Sequence, residues 1–191
     1  ARIYDPGCKF DTALILQGGQ GIGKSTFFKI LAGGDSYFDD SLGAASDKDE
    51  RLKLHQSWIL EWAELESIFK RKDIAQTKAF ITSSVDNVRP PYGRQAVRLA
   101  RQSIIVGSTN QDEFLSDSTG NRRFWVIPVQ GAIDLELLRT DRDQIWAAAV
   151  AAYRAGEKPF LSPEERNQAV EAVKDYQTSD PWQSRIETYL L

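Results

Sequence analysis

The chain has no methionine, one cysteine and one histidine among its 191 residues. Without a methionine even at position 1, it is expected to begin inside a longer polypeptide. The lone Cys8 cannot close an internal disulfide, which points to a reducing compartment and hence the cytoplasm. Beside Gly7 it reads as a small, partly buried side chain rather than a nucleophile. His55 stands just ahead of an apolar run with no Cys or His nearby, so a loop or helix-end role is expected and a zinc site is not. No apolar run approaches the ~20 residues of a membrane span, and no secretory leader opens the chain. Internal repeats and low-complexity tracts are missing too. The net charge of −3 argues by itself for no acidic partner.

What is present begins with Gly18-Gly19-Gln20-Gly21-Ile22-Gly23-Lys24-Ser25, which fits G-x-x-x-x-G-K-[ST]. The apolar run over 12–17 reads as a buried strand and the segment over 26–32 as a helix. A strand, a glycine-rich turn and a helix make a phosphate cradle. Glycines let backbone N–H groups converge on the phosphates, the helix adds its N-terminal dipole, Lys24 adds a point charge, and the Ser25 hydroxyl can hold Mg²⁺. Gly19, Gln20, Gly21, Ile22, Gly23, Lys24, Ser25 and Thr26 are therefore the expected nucleotide-binding residues, with ATP and Mg²⁺ as cofactors.

The rest of the chain supplies the frame. A hydrophobic fraction of 41% and five tryptophans suffice for one globular core, with or without a short appendage. The first helix should end at Gly33-Gly34, and 35–50, polar and small, reads as a loop. Trp58-Ile59-Leu60-Glu61 reads as a buried strand tipped by an acid, 64–70 as a helical turn and 74–81 as a helix. Pro90, Pro91 and Gly93 make 87–94 an ordered turn or protruding loop. Segments 103–108 and 124–129 read as two more strands, with Pro128 suggesting an edge. Helices are expected over 141–155 and from 162, where Ser162, Pro163 and Glu165 spell an N-terminus.

Strands alternating with helices predict a three-layer α/β domain with a mainly parallel sheet. The expected division is a P-loop ATPase core over 1–132 and a C-terminal helical segment over 133–191. The apolar periodicity of 181–191 stops without a cap, like the start of a further element.

Hydrolysis needs an acid for Mg²⁺, a group that positions water and a positive charge on the γ-phosphate. Glu61 closes the second strand and is the candidate metal acid together with Ser25. Glu64, within one turn, could polarise the attacking water, and Asn110 at the tip of the third strand could orient it. Arg122 and Arg123 lie in a loop from which one could reach a neighbouring subunit's nucleotide. Between 70 and 101 eight basic residues face two acids, which suits a polyanion footprint, a solvated face or a subunit contact.

Together, the segments 18–28, 58–65, 89–94, 107–110 and 119–125 resemble the virulence-associated protein E family. Its helicase-like ATPase domain is found in replication proteins of phages, plasmids and genomic islands, often behind a primase. The order of motifs also resembles superfamily 3 helicases, hexameric AAA+ motors. The resemblance implies a P-loop NTPase fold, Lys24 and Ser25 at the phosphate and Mg²⁺ positions, Glu61 and Glu64 in the second acidic motif, and Asn110 as the polar sensor. It implies a trans-acting arginine finger at Arg123, with Arg122 as runner-up and Arg94 an alternative. It also implies that the loop around Arg89, Tyr92 and Arg94, with Arg98 beyond it, grips single-stranded DNA, where an aromatic between arginines offers stacking and phosphate contacts.

Many P-loop motors carry Asp as the metal acid, so the choice between Glu61 and Glu64 stays open. The expected function is an ATP-driven DNA helicase domain working as a ring of copies, with single-stranded DNA as partner, a primase domain in the parent chain and no membrane. The alternative is an ATP-dependent assembly switch or loader without unwinding activity.

Overall fold

Each apolar run of the sequence becomes a strand in the computed structural model, which describes residues 1–43, 48–63, 65, 74–90, 93–115 and 121–178. In chain order the first elements are β1 (Ala13–Gln17), α1 (Lys24–Ala32), β2 (Phe38–Asp39), α2 (Lys48–Lys53), β3 (Ile59–Trp62) and α3 (Ile74–Thr82). They are followed by β4 (Val85–Val88), β5 (Val97–Ala100), β6 (Ile104–Thr109), β7 (Phe124–Pro128), α4 (Leu135–Arg154) and α5 (Pro163–Val173). The central sheet has the order β2-β3-β6-β1-β7, and all of its pairings are parallel. The result is an α/β fold with a parallel central sheet and helices.

Alternation along the strands sorts side chains onto the two faces. Ala13, Ile15, Leu60, Trp62, Ile105 and Phe124 share one core with Phe80 and Ile81 of α3 and Val173 of α5. Leu16, Ile59 and Val106 point the other way, onto Phe28 and Ala32 of α1. The spacing of Phe28 and Ala32 puts both on one stripe of that helix. Glu61, between Leu60 and Trp62, therefore faces α1.

The helix ends follow local chemistry. Gly33 and Gly34 take φ of 99° and 114° and close α1 through bonds from their N–H groups to the carbonyls of Ile30 and Lys29, the left-handed ending expected of glycine. α5 begins with the capping box expected at Ser162 and Glu165. α4 starts at Leu135, earlier than the segment read from the sequence, because the Asp134 side chain accepts from the Leu137 N–H at 2.9 Å and caps it there. α4 lies against α1, where the Trp146 indole donates to the Leu31 carbonyl at 2.8 Å.

Two segments differ from the reading above. Within 35–50, expected as loop, Phe38–Asp39 adds the edge strand β2 to β3, and α2 begins at Lys48. A two-residue strand has no alternation to read, and the KDERLK helix is too charged to show an apolar stripe. The proline-rich turn, in addition, tips an antiparallel hairpin of β4 and β5. Its base is pinned by a buried ion pair, Arg101 to Asp86, at 2.6 and 2.7 Å. Near the other end of the chain, the buried Arg2 guanidinium donates to the carbonyls of Cys8, Phe10, Ser83 and Ser103, tying the N-terminal segment to the sheet. Among the described residues no helix is long and apolar enough to cross a membrane.

Candidate functional site

In a parallel sheet ligands gather outside the carboxyl ends of the strands, where the chain leaves in opposite directions from neighbouring strands. Here that place is the end of β1. The chain crosses from β1 by way of α1 to the β2 edge and later returns as β7 on the other flank. The loop after β1 is clamped on both sides. The Gly18 N–H donates to the Thr109 carbonyl at 3.1 Å, the Val129 N–H to the Gln17 carbonyl at 2.7 Å, and the Ile133 N–H to the Ile22 carbonyl at 3.0 Å. A Cβ at Gly18 would run into the Val129 carbonyl oxygen, so only glycine lets β7 pass this close. Gly23, at φ 96°, turns the chain into α1.

The start of α1 differs from the other capped helices. Its N-cap is glycine, which makes no side-chain cap, and its first turn has no acid. The positive end of the helix dipole there suits an external anion. Lys24 opens that helix, where a cation is electrostatically disfavoured. Its ammonium folds back to donate to the carbonyls of Gly18 and Gly19, both at 2.7 Å, and to Asn110 Oδ1 at 2.8 Å. A cavity of about 350 Å³ opens here, lined by Gln20, Gly21, Gly23, Lys24, Ser25, Thr26, Ala63, Ser108, Thr109 and Asn110. That volume lies in the range that encloses small molecules. Gly19 and Ile22 serve the loop through their carbonyls instead of lining it.

Beside the cavity, the Ser25 hydroxyl donates to Glu61 Oε1 at 2.9 Å. Glu61 is fully buried, and its Oε2 has no hydrogen-bond partner. Burial raises its pKa; the hydroxyls of Ser108 and Ser25 oppose the rise, Asp40 adds to it and Lys24 opposes it. A buried carboxylate with an open oxygen next to a serine hydroxyl is a hard-oxygen donor set, and it fits a Mg²⁺ held partly by water and by phosphate.

A carboxyl with a raised folded pKa keeps its proton longer in the native state, so stability is highest below the ordinary value of 4.5 and falls as pH rises through the folded pKa. Thermal melts in chelator are therefore expected to show a downward slope above about pH 4.5, flattened by millimolar Mg²⁺ and by Glu61→Gln. Equal slopes in wild type and Glu61→Gln, with and without Mg²⁺, would contradict it.

Of the expected site residues, the structure brings Lys24, Ser25, Glu61 and Asn110 together from α1 and the ends of β3 and β6. The strand β6 between β1 and β3 sets Asn110 between the lysine loop and the acid. Ser108 belongs to the same cluster and was not singled out from sequence; its signal was the period-two relation to Val106, which puts it on the face of Glu61. Arg122 and Arg123 are not in this cluster. They form a short 3₁₀ turn before β7, and since β7 runs parallel to β1 with Phe124 beside Ala13, they sit at the opposite end of the sheet. Glu64 and Tyr92 lie outside the described residues.

Arg94 and Arg98 are exposed on the hairpin, and the Arg89 Nε donates to the Gly93 carbonyl at 2.7 Å, shaping the turn. The basic count over 70–101 overstates the surface charge, because Lys78 and Arg101 are buried and Arg101 is neutralised by Asp86.

The site is thus a cleft at the carboxyl edge of a parallel α/β sheet, where Lys24 and the helix start suit an anion and the oxygens of Ser25 and Glu61 suit a cation. The chain belongs to the virulence-associated protein E-like domain family, whose model matches residues 1–178. Its fold is similar to that in the apo structure of the NrS-1 C-terminal region, with a TM-score of 0.58 and 15% identity, covering 93% of this chain and 45% of that one. An A-form apo structure of the same region aligns over 87% of this chain and 35% of that one, with 15% identity and a TM-score of 0.47. The chain thus spans less than half the length of the structures it resembles. No curated protein matches it.

Proposed function

We propose that the chain is the ATP-hydrolysing P-loop domain of a replication protein, an AAA+ helicase of the superfamily 3 type that works as a ring on single-stranded DNA. The observation that carries this reading is the single cluster at the strand ends: Lys24 bridging the glycine loop and Asn110, beside Ser25 bonded to a buried, half-satisfied Glu61. Family membership supports a role in DNA replication.

In this reading the glycine loop and the uncapped first turn of α1 receive the β- and γ-phosphates of ATP. Lys24 exchanges its carbonyl partners for phosphate oxygens, and Asn110, released from Lys24, turns to the attacking water. Ser25 and Glu61 hold Mg²⁺, which neutralises phosphate charge when bound. Glu64 follows Glu61 as the candidate group that polarises the water. The arginines at the far end of the sheet act on a neighbouring copy's nucleotide, which requires a head-to-tail ring. Hydrolysis then moves the β4–β5 hairpin, whose Arg89, Arg94 and Arg98 meet the strand, with Tyr92, between them in sequence, as the candidate stacking residue.

The test is ATP hydrolysis across protein concentrations, with and without single-stranded DNA, for wild type and Lys24→Ala. The rate per subunit is expected to rise with concentration and with DNA, and to vanish in the variant. Tight ATP binding with a low rate indifferent to both would replace the motor by an assembly switch.

A further inference from the structure

A second cavity, of about 270 Å³, opens at the end of the sheet opposite the glycine loop, and Arg122, Arg123 and Arg166 all line it. Arg166 comes from a different element, the first turns of α5, which packs on the 3₁₀ turn carrying the other two. Lys9 also lines the cavity but is paired with Asp11 at 3.2 Å. Among the described residues neither Arg122 nor Arg166 makes an ion pair. Three guanidinium groups thus line one recess together with Asp11, beside an apolar wall that includes the exposed Phe160.

Stability does not account for Arg166. It sits near the positive end of the α5 dipole, where a cation is disfavoured, and it is exposed. The cavity is smaller than the roughly 300–1,000 Å³ of pockets that enclose a whole small molecule. A shallow tri-arginine recess suits a site completed by another molecule, and planar guanidinium forks suit phosphate oxygens. It cannot be completed by the chain's own loop, which lies about 17 Å away along five residues of strand.

We infer that Arg166 acts with Arg122 and Arg123 as a cationic clamp on the terminal phosphates of the nucleotide bound by a neighbouring copy of the chain. The inference rests on the ring-ATPase reading above and adds a residue from the C-terminal helices to the active interface. The state of one subunit's α5 is thereby read by the site of the next.

The experiment is subunit mixing with the full chain. Arg166→Ala is expected to lower kcat of the assembled protein about tenfold to a hundredfold, the size of one lost charge-assisted hydrogen bond, with nucleotide affinity, melting temperature and oligomer size unchanged. Arg166→Lys should recover part of the rate. Mixed with Lys24→Ala, which is dead in its own site but keeps its arginines, Arg166→Ala should regain activity above the sum of the two alone. An Arg123→Ala plus Lys24→Ala mixture separates the two ideas. If that mixture regains activity and the Arg166→Ala mixture does not, the clamp is overturned and the ring stands. If neither regains activity, the ring reading falls and the clamp with it.

Discussion

Replacing Arg123 by alanine is expected to lower ATP turnover of the assembled protein on the order of a thousandfold or more, the contribution an arginine finger makes in P-loop enzymes, while nucleotide affinity holds. The split follows from where the groups lie. Lys24, bonded to Gly18, Gly19 and Asn110, and Ser25, bonded to Glu61, gather at the carboxyl ends of the strands with bonds of 2.7 to 2.9 Å, at the end of the sheet opposite Arg123. Parallel pairing of β7 with β1, from Phe124 beside Ala13 to Pro128 beside Gln17, keeps Arg123 a full strand length from its own loop. In the proposed ring its charge therefore enters the glycine-loop site from another copy. Arg123 is the half-buried member of the pair and Arg122 the exposed one, so Arg123 is better held in one direction, and less ordering is needed when the interface closes. Steady-state hydrolysis above the assembly concentration, with a parallel nucleotide titration, measures both quantities. An unchanged rate in assembled Arg123→Ala removes the role.

The parts of the site legible in the sequence were those fixed by local spacing. The glycine loop announces itself because the chain must reverse, admit β7 and begin a helix within a few residues. Glu61 and Asn110 could be placed near strand ends because each follows a short apolar run, although β3 continues one residue beyond Glu61 to Trp62 and Asn110 lies just past β6. What stayed hidden was set by pairing between distant segments. β2 exists only because Phe38 and Asp39 add to β3, and the hairpin strands, four residues each, lie on either side of a turn whose prolines dominate the local signal. Arg101 looked like one more surface cation, and only the fold buries it against Asp86. Arg2, which donates to four carbonyls with no acid among those partners, carries no local mark at all. Arg166 reads as an ordinary charged helix residue until α5 is packed beside the turn of Arg122 and Arg123.

The largest stability effect is expected at Asp86, outside the candidate site. Asp86 is fully buried. It accepts from Arg101 Nε and Nη2, lies 3.3 Å from His55 Nε2 and 3.8 Å from Arg51 Nη1, and so joins the hairpin to α2 and to the segment after it. Arg101 also donates to the Phe80 carbonyl and stacks over the Phe80 ring, 4.9 Å from its centroid, which extends the network to α3. Asp86→Ala would leave the guanidinium buried with no counter-charge, a change that costs roughly 3–5 kcal/mol in other proteins. For a chain of this length that corresponds to a drop of about 6–20 °C in melting temperature.

Removing both charges is a different case. With a methionine at 101 to fill the space, Asp86→Ala/Arg101→Met should recover much of the loss, because an apolar replacement of a buried pair is often neutral. Chemical denaturation of the two single variants and the double variant gives the coupling directly. The hairpin should loosen along with the pair, so Asp86→Ala assayed well below its melting point is expected to lose DNA stimulation before it loses ATP binding. A melting temperature within a degree or two of wild type would mean that the ion pair does not hold the hairpin to the core.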